Sequence, residues 1–106
     1  MCKFYNKLVR DKIPEIIEND GKHCIYEILD DNTYKQMLDE KLNEELKEYQ
    51  DSKSLEELAD LLEVIHAVVK SKGCTFEQIE SIRKIKAEQR GSFDKKILLK
   101  EVKRYE

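Results

Sequence analysis

No apolar run in this sequence approaches the roughly 20 residues that a helix needs to cross a bilayer, so a soluble protein acting away from the membrane is expected. Cysteine is scarce and unpaired. Cys2, Cys24 and Cys74 are odd in number, form no C-x-x-C pattern and follow no secretory signal. Reduced thiols in a cytoplasmic protein are therefore expected rather than a disulfide framework. His23 beside Cys24 lacks the spacing of a zinc site. An excess of positive charge is also missing: 20 Lys+Arg stand against 23 Asp+Glu, for a net charge of -3. That balance argues against a surface built to neutralise a nucleic-acid backbone, and no stable nucleic-acid binding is expected. The only basic segment that could serve as a DNA-recognition helix is 75–90, with Arg83, Lys84 and Lys86. There is no internal repeat, low-complexity tract or linker, and a length of 106 residues suits one domain, 1–106.

What the chain has in abundance is charge of both signs, 41% of its residues, with a mean hydropathy of -0.73. Such a chain folds only if its apolar residues are gathered on faces. Pro14 suits the first turn of a short helix running to about Asn19, and Asp20-Gly21 then marks a turn. Segment 24–29 is rich in β-formers and too short for an independent helix, which predicts a strand. Segment 96–102 is a weaker strand candidate and its natural antiparallel partner, with a C-terminal helix from about Asp94 as the alternative. Three longer helices are predicted over 32–50, 54–72 and 75–90. Ser54 and Thr75 are N-cap candidates, and Gly73 and Gly91 stand where helices commonly end. The fold class expected is mainly α, an antiparallel helical bundle with a small two-stranded β element near 24–29 and 96–102.

At about 100° per residue, Tyr34, Leu38, Leu42, Leu46 and Tyr49 form one apolar stripe on the first long helix. Glu45 falls inside that stripe and Glu48 at its edge, whereas Glu40, Glu44 and Lys47 point to the other side. The second long helix is apolar almost all round. Glu56, Glu63 and Lys70 share a narrow wet stripe, but Glu57 and Asp60 lie on the side of Leu61, Val64, Ala67 and Val68. A carboxylate among core-facing positions costs several kcal/mol unless something compensates it.

Each acidic pair has i,i+3 spacing, which sets both side chains on one helix face. The link between the helices is short enough to force them antiparallel, so the two pairs can face each other. Four inward carboxylates with no equally placed Lys or Arg repel one another and invite a cation. Oxygen-only ligation favours Mg²⁺, with Mn²⁺ as a substitute, over zinc.

Glu44-Glu-Leu-Lys-Glu48 followed by Glu56-Glu-Leu-Ala-Asp-Leu-Leu62 resembles the Glu-x-x-Glu and Glu-x-x-Asp signature of the MazG-like, all-α nucleotide pyrophosphohydrolase superfamily, which includes the phosphoribosyl-ATP pyrophosphohydrolases. Tyr5-Asn-Lys-Leu-Val-Arg-Asp-Lys-Ile-Pro14 resembles the opening of a subgroup of small single-domain members. Arg90-Gly-Ser-Phe93 is similar to their Arg-Gly-Gly-Phe ending, with Ser92 in place of the second Gly. The gap between the acidic pairs is shorter than in many relatives and leaves little room for a base-recognising insertion.

The resemblance implies an enzyme in which Glu45, Glu48, Glu57 and Asp60 hold Mg²⁺ and a nucleoside triphosphate is hydrolysed to the monophosphate and pyrophosphate. It implies Glu48, with Glu45, as the catalytic carboxylates, Glu48 accepting the proton of the attacking water. Lys7, Arg10, Lys12, Lys86 and Arg90 are candidates for holding substrate phosphates, with Arg83 behind them. The competing reading is a non-catalytic helical interaction or regulatory module that keeps the same fold. His66 lies on the apolar wheel and reads as a core or interface histidine; Tyr26 and Phe93 read as core aromatics that could otherwise stack on a base. The apolar girth of the 54–72 helix exceeds what one hairpin partner covers, so a homo-oligomer, dimer or tetramer, is expected.

Overall fold

The computed structural model describes residues 3–104 and is mainly α-helical, with α1 at Ile13–Asn19, α2 at Asp31–Ser52, α3 at Leu55–Ser71 and α4 at Phe76–Arg90. The chain divides into two compact units, Met1–Cys74 and Thr75–Glu106.

In the first unit, α2 and α3 pack against each other and form the structural centre. Only Lys53 and Ser54 separate them, so the chain reverses and the helices run antiparallel. Lys53 makes the reversal in the left-handed region at φ 59°, its N–H donating to the carbonyl of Tyr49. Ser54 then caps α3, its hydroxyl accepting from the backbone N–H of Glu57 at 3.2 Å. Asp30 caps α2 in the same way, accepting from Thr33 N at 2.8 Å, and so adds a third cap to those expected at Ser54 and Thr75.

Among the described residues the buried apolar side chains are Leu38 on α2 and Val64 and Val69 on α3. All three stand on or beside the stripes expected from the helical wheel. Glu56, Glu63 and Lys70 are exposed along the outer edge of α3, as that pattern requires. Leu46 departs from its stripe and is partly exposed.

α1 is a short turn of helix with Pro14 in its first turn. It is followed by a coil at 22–30 in which the expected strand does not form. Neither 24–29 nor 96–102 is a strand, and no strand occurs among the described residues. The physical reason is that strand propensity has no value without a ladder partner. Ile25 is 96% exposed, and Ile97, Leu98 and Leu99 are exposed as well. The alternative of a C-terminal helix from about Asp94 is not realised either.

In the second unit, α4 opens on a capping box in which Thr75 and Gln78 exchange bonds of 2.8 and 3.2 Å. It closes at Gly91, whose φ of 84° is a conformation that side chains disfavour. Of the cysteines, Cys24 is half-buried and Cys74 exposed, both as free thiols, while Cys2 lies outside the described residues. Among the described residues no helix is long and apolar enough to cross a membrane.

The Ser54 cap both starts α3 and sets the backbone from which Glu57 projects. Ser54→Ala is expected to cost about 1 kcal/mol of stability, read as a lower urea midpoint at unchanged slope.

Candidate metal centre

The helical hairpin brings together carboxylates that are far apart in sequence. Glu45 on α2 and Glu57 and Asp60 on α3 each place a carboxylate oxygen within 4.8 Å of the others. Glu45 is the deepest, at 7% exposure the only buried charged residue among the described residues. Glu57 and Asp60 are half-buried. Glu48, the fourth expected member, is exposed and falls outside this group of three. It still lies close enough to Glu45 to act on its charge.

Two oxygens in this region are buried without a hydrogen-bond partner, Glu45 Oε2 and Glu57 Oε2. A buried carboxylate oxygen left unsatisfied carries a desolvation penalty of about 1–3 kcal/mol or more. Burial is accordingly the main cause that pushes the Glu45 carboxyl above its ordinary value, reinforced by the neighbouring Glu48 carboxylate and opposed by Lys41.

The expectation that no cation stands level with these acids is corrected by the structure. Lys41 Nζ lies 3.3 Å from Glu45 Oε1 and 3.3 Å from Glu44 Oε1, its side chain only 17% exposed. Arg10 donates to Asp60 Oδ1 at 2.7 Å. Lys41 was legible as the i,i+4 partner of Glu45, since on the helical wheel it falls between Glu45 and Glu48 at the edge of the inward stripe, but a count of acidic positions alone passes over it.

Glu44 likewise is not a freely solvated acid. It is half-buried and takes Lys7 at 3.2 Å as well as Lys41. Burial acts to raise its pKa, yet the bonds from Lys7 and Lys41 prevail and hold it below the usual glutamate value. Lys7 is raised in turn, chiefly by its bond to Glu44.

Through Lys7 to α2 and Arg10 to α3, the N-terminal segment is tied across the same hairpin that carries the acids. Two of the five basic candidates are thus placed beside the acidic residues. Lys12 is exposed at the N-cap of α1. Lys86 and Arg90 are exposed on α4, in the second unit. Arg83 is engaged on its own helix, its Nε donating to Glu80 Oε2 at 3.0 Å. Tyr26 and Phe93 are not core aromatics: Phe93 is 97% exposed and Tyr26 is exposed too. His66 is half-buried on α3.

The donor set suits a hard divalent cation. Oxygens on opposite sides of Mg²⁺ stand about 4.2 Å apart, and those across Ca²⁺ about 4.6–5.2 Å. Three oxygens within 4.8 Å of one another are near enough for such an ion to draw them into its shell by a small closure. The unpartnered Oε2 atoms of Glu45 and Glu57 are the oxygens with free capacity, because Lys41 and Arg10 already occupy one oxygen each of Glu45 and Asp60. No protein-family model matches this chain, and no curated protein or solved structure matches it.

Proposed function

We propose that the chain is a Mg²⁺-dependent hydrolase that cleaves a nucleoside triphosphate to its monophosphate and pyrophosphate, with Mn²⁺ as a substitute. The observation that carries this reading is the buried Glu45 carboxylate, whose Oε2 has no partner and which shares a cluster of carboxylate oxygens with Glu57 and Asp60. The resemblance of both acidic motifs and of the flanking motifs at 5–14 and 90–93 to the MazG-like superfamily turns a cation site into this reaction.

Glu45, Glu57 and Asp60 are the residues that would hold the ion. A divalent cation bound there supplies polarisation of phosphate oxygens and a more acidic water. Glu48, exposed beside Glu45, is the carboxylate free to take a proton from water as its oxygen attacks the α-phosphorus. The bond from that phosphorus to the bridging oxygen breaks, and pyrophosphate leaves. Lys7 and Arg10 bring cationic charge to the rim and are positioned to meet the negative phosphates. Lys12, in the same unit, is the further phosphate-binding candidate.

The test is hydrolysis of a panel of nucleoside triphosphates with Mg²⁺, scoring pyrophosphate against orthophosphate. Pyrophosphate as the product is expected. Orthophosphate release would contradict attack at the α-phosphorus, and no hydrolysis of any nucleotide would favour the non-catalytic module.

The cytoplasm is the proposed location. Self-association is proposed on α3, where Leu55 is 82% exposed and lines an apolar groove with Leu58, Ala59, Leu61, Leu62 and Ile65. A contiguous apolar patch of this kind on a highly charged chain marks an interaction surface. Light scattering is expected to show a dimer or tetramer at micromolar concentration, shifted towards monomer by Leu58→Glu. A monodisperse monomer of the parent chain would remove the idea.

A further inference from the structure

Glu45 is more than nine-tenths buried, and its two oxygens have different surroundings. Oε1 faces Lys41 Nζ at 3.3 Å, one turn back on the same helix, while Oε2 is buried with no partner. Lys41 is itself held from the other side, donating to Glu44 Oε1 at 3.3 Å, and Glu44 is tied to Lys7 at 3.2 Å. The ammonium is thus fixed between two carboxylates and is largely shielded from solvent.

A glutamate side chain has three rotatable bonds, and an unrestrained one would turn its charge towards water. Here one oxygen is held by a restrained cation, which limits how the carboxylate can turn and leaves the second oxygen uncommitted. Groups that orient a ligand through its other atom tune metal sites strongly, typically by tenfold to a hundredfold in affinity.

We infer that Lys41 is a positioning residue of the cation site: by holding Oε1 of Glu45, it presents Oε2 of that carboxylate as a ligand. The inference rests on the reading of Glu45, Glu57 and Asp60 as a cation site and assigns a role that the acidic motif itself does not contain. It also sets a direction that simple electrostatics would reverse. An ammonium group close to a cation site repels the cation, so a Lys41 acting only as a counter-charge would weaken binding and its removal would tighten it. A Lys41 that positions Glu45 strengthens binding, and its removal loosens it.

The experiment is direct Mn²⁺ binding, by calorimetry and by the loss of the free-ion electron paramagnetic resonance signal, to the full chain and to Lys41→Met, Lys41→Arg and Glu57→Gln. Melting curves in chelator accompany each variant. The parent chain is expected to bind and Glu57→Gln to lose most of that binding. Lys41→Met is expected to bind about tenfold to a hundredfold more weakly, and Lys41→Arg, which keeps a donor at the same i,i+4 spacing, to recover most of the loss. If Lys41→Met fails to fold, Lys41→Ala, which also lacks a donor, takes its place with the same expected loss. Unchanged or tighter binding by Lys41→Met, with Glu57→Gln still defective, overturns the role of Lys41 and leaves the cation site standing. Absence of binding by the parent chain overturns both.

Discussion

Glu57→Gln is expected to lower Mg²⁺-dependent pyrophosphate release about a thousandfold while leaving the helical content of the chain intact. The substitution preserves the volume of the side chain and one carbonyl oxygen, so α2 and α3 keep their packing. It removes the negative charge and can turn an N–H towards the position where Oε2 now stands without a partner. In the proposed reaction, the cation stabilises charge on the transferred phosphorus by several kcal/mol, and about 4 kcal/mol is a thousandfold in rate.

The matched control is Glu63→Gln, six residues further along α3 on its exposed edge. It changes the net charge equally and is expected to leave the rate within about twofold, as isolated surface charges contribute little. Equal effects of the two substitutions would reduce the acidic cluster to a general electrostatic surface. Retention of full activity by Glu57→Gln would sink the catalytic reading of the site.

The contrast between Glu57 and Glu63 was legible in the sequence, because a helix of period 3.6 turns residues six apart about 120° away from each other. The same arithmetic separated Glu45 from Glu40, while residue type and the acids that follow pointed to the Ser54 and Thr75 caps, whose hydrogen bonds are local and so encoded within a few residues. Two things were harder to read. The ion pairs of Lys7 with Glu44 and Arg10 with Asp60 join positions 37 and 50 residues apart, and no periodicity links a coil to a helix. Segment 24–29 has strand composition, but pairing is a property of two segments, and propensity in one says nothing of a partner. Glu44 shows an intermediate case: the wheel set it apart from Glu45, yet cations from two directions give it a structural place that its own position on the helix does not reveal.

The burial of Glu45 has a cost in stability that should be measurable in the absence of any cation. Glu45→Leu is expected to melt about 5–10 °C above the parent chain in chelator. Replacing a buried ion pair by packed apolar side chains is commonly neutral to stabilising by about 1–4 kcal/mol, the loss on removing one partner alone coming from the charge left stranded, and each kcal/mol moves the melting point of a domain this size by about 4–8 °C. Lys41 keeps Glu44 at 3.3 Å, so the substitution does not strand the ammonium group.

The difference should also depend on pH with a definite sign. Burial raises the Glu45 pKa above its ordinary value of 4.5, so between 4.5 and the raised value the folded chain binds more protons than the unfolded chain. Its stability then falls as pH rises through that window. The advantage of Glu45→Leu is therefore smallest at acidic pH and reaches its full size once Glu45 is ionised. Saturating Mg²⁺ should reverse the order, since a ligand at a hundred times its dissociation constant stabilises the folded state by about 2.7 kcal/mol and the leucine variant cannot use it. A Glu45→Leu chain that melts below the parent in chelator would show that the Glu45 carboxylate is already satisfied without a cation. The crossing of the two melting points with Mg²⁺ is the signature of a residue kept for binding at the expense of the fold.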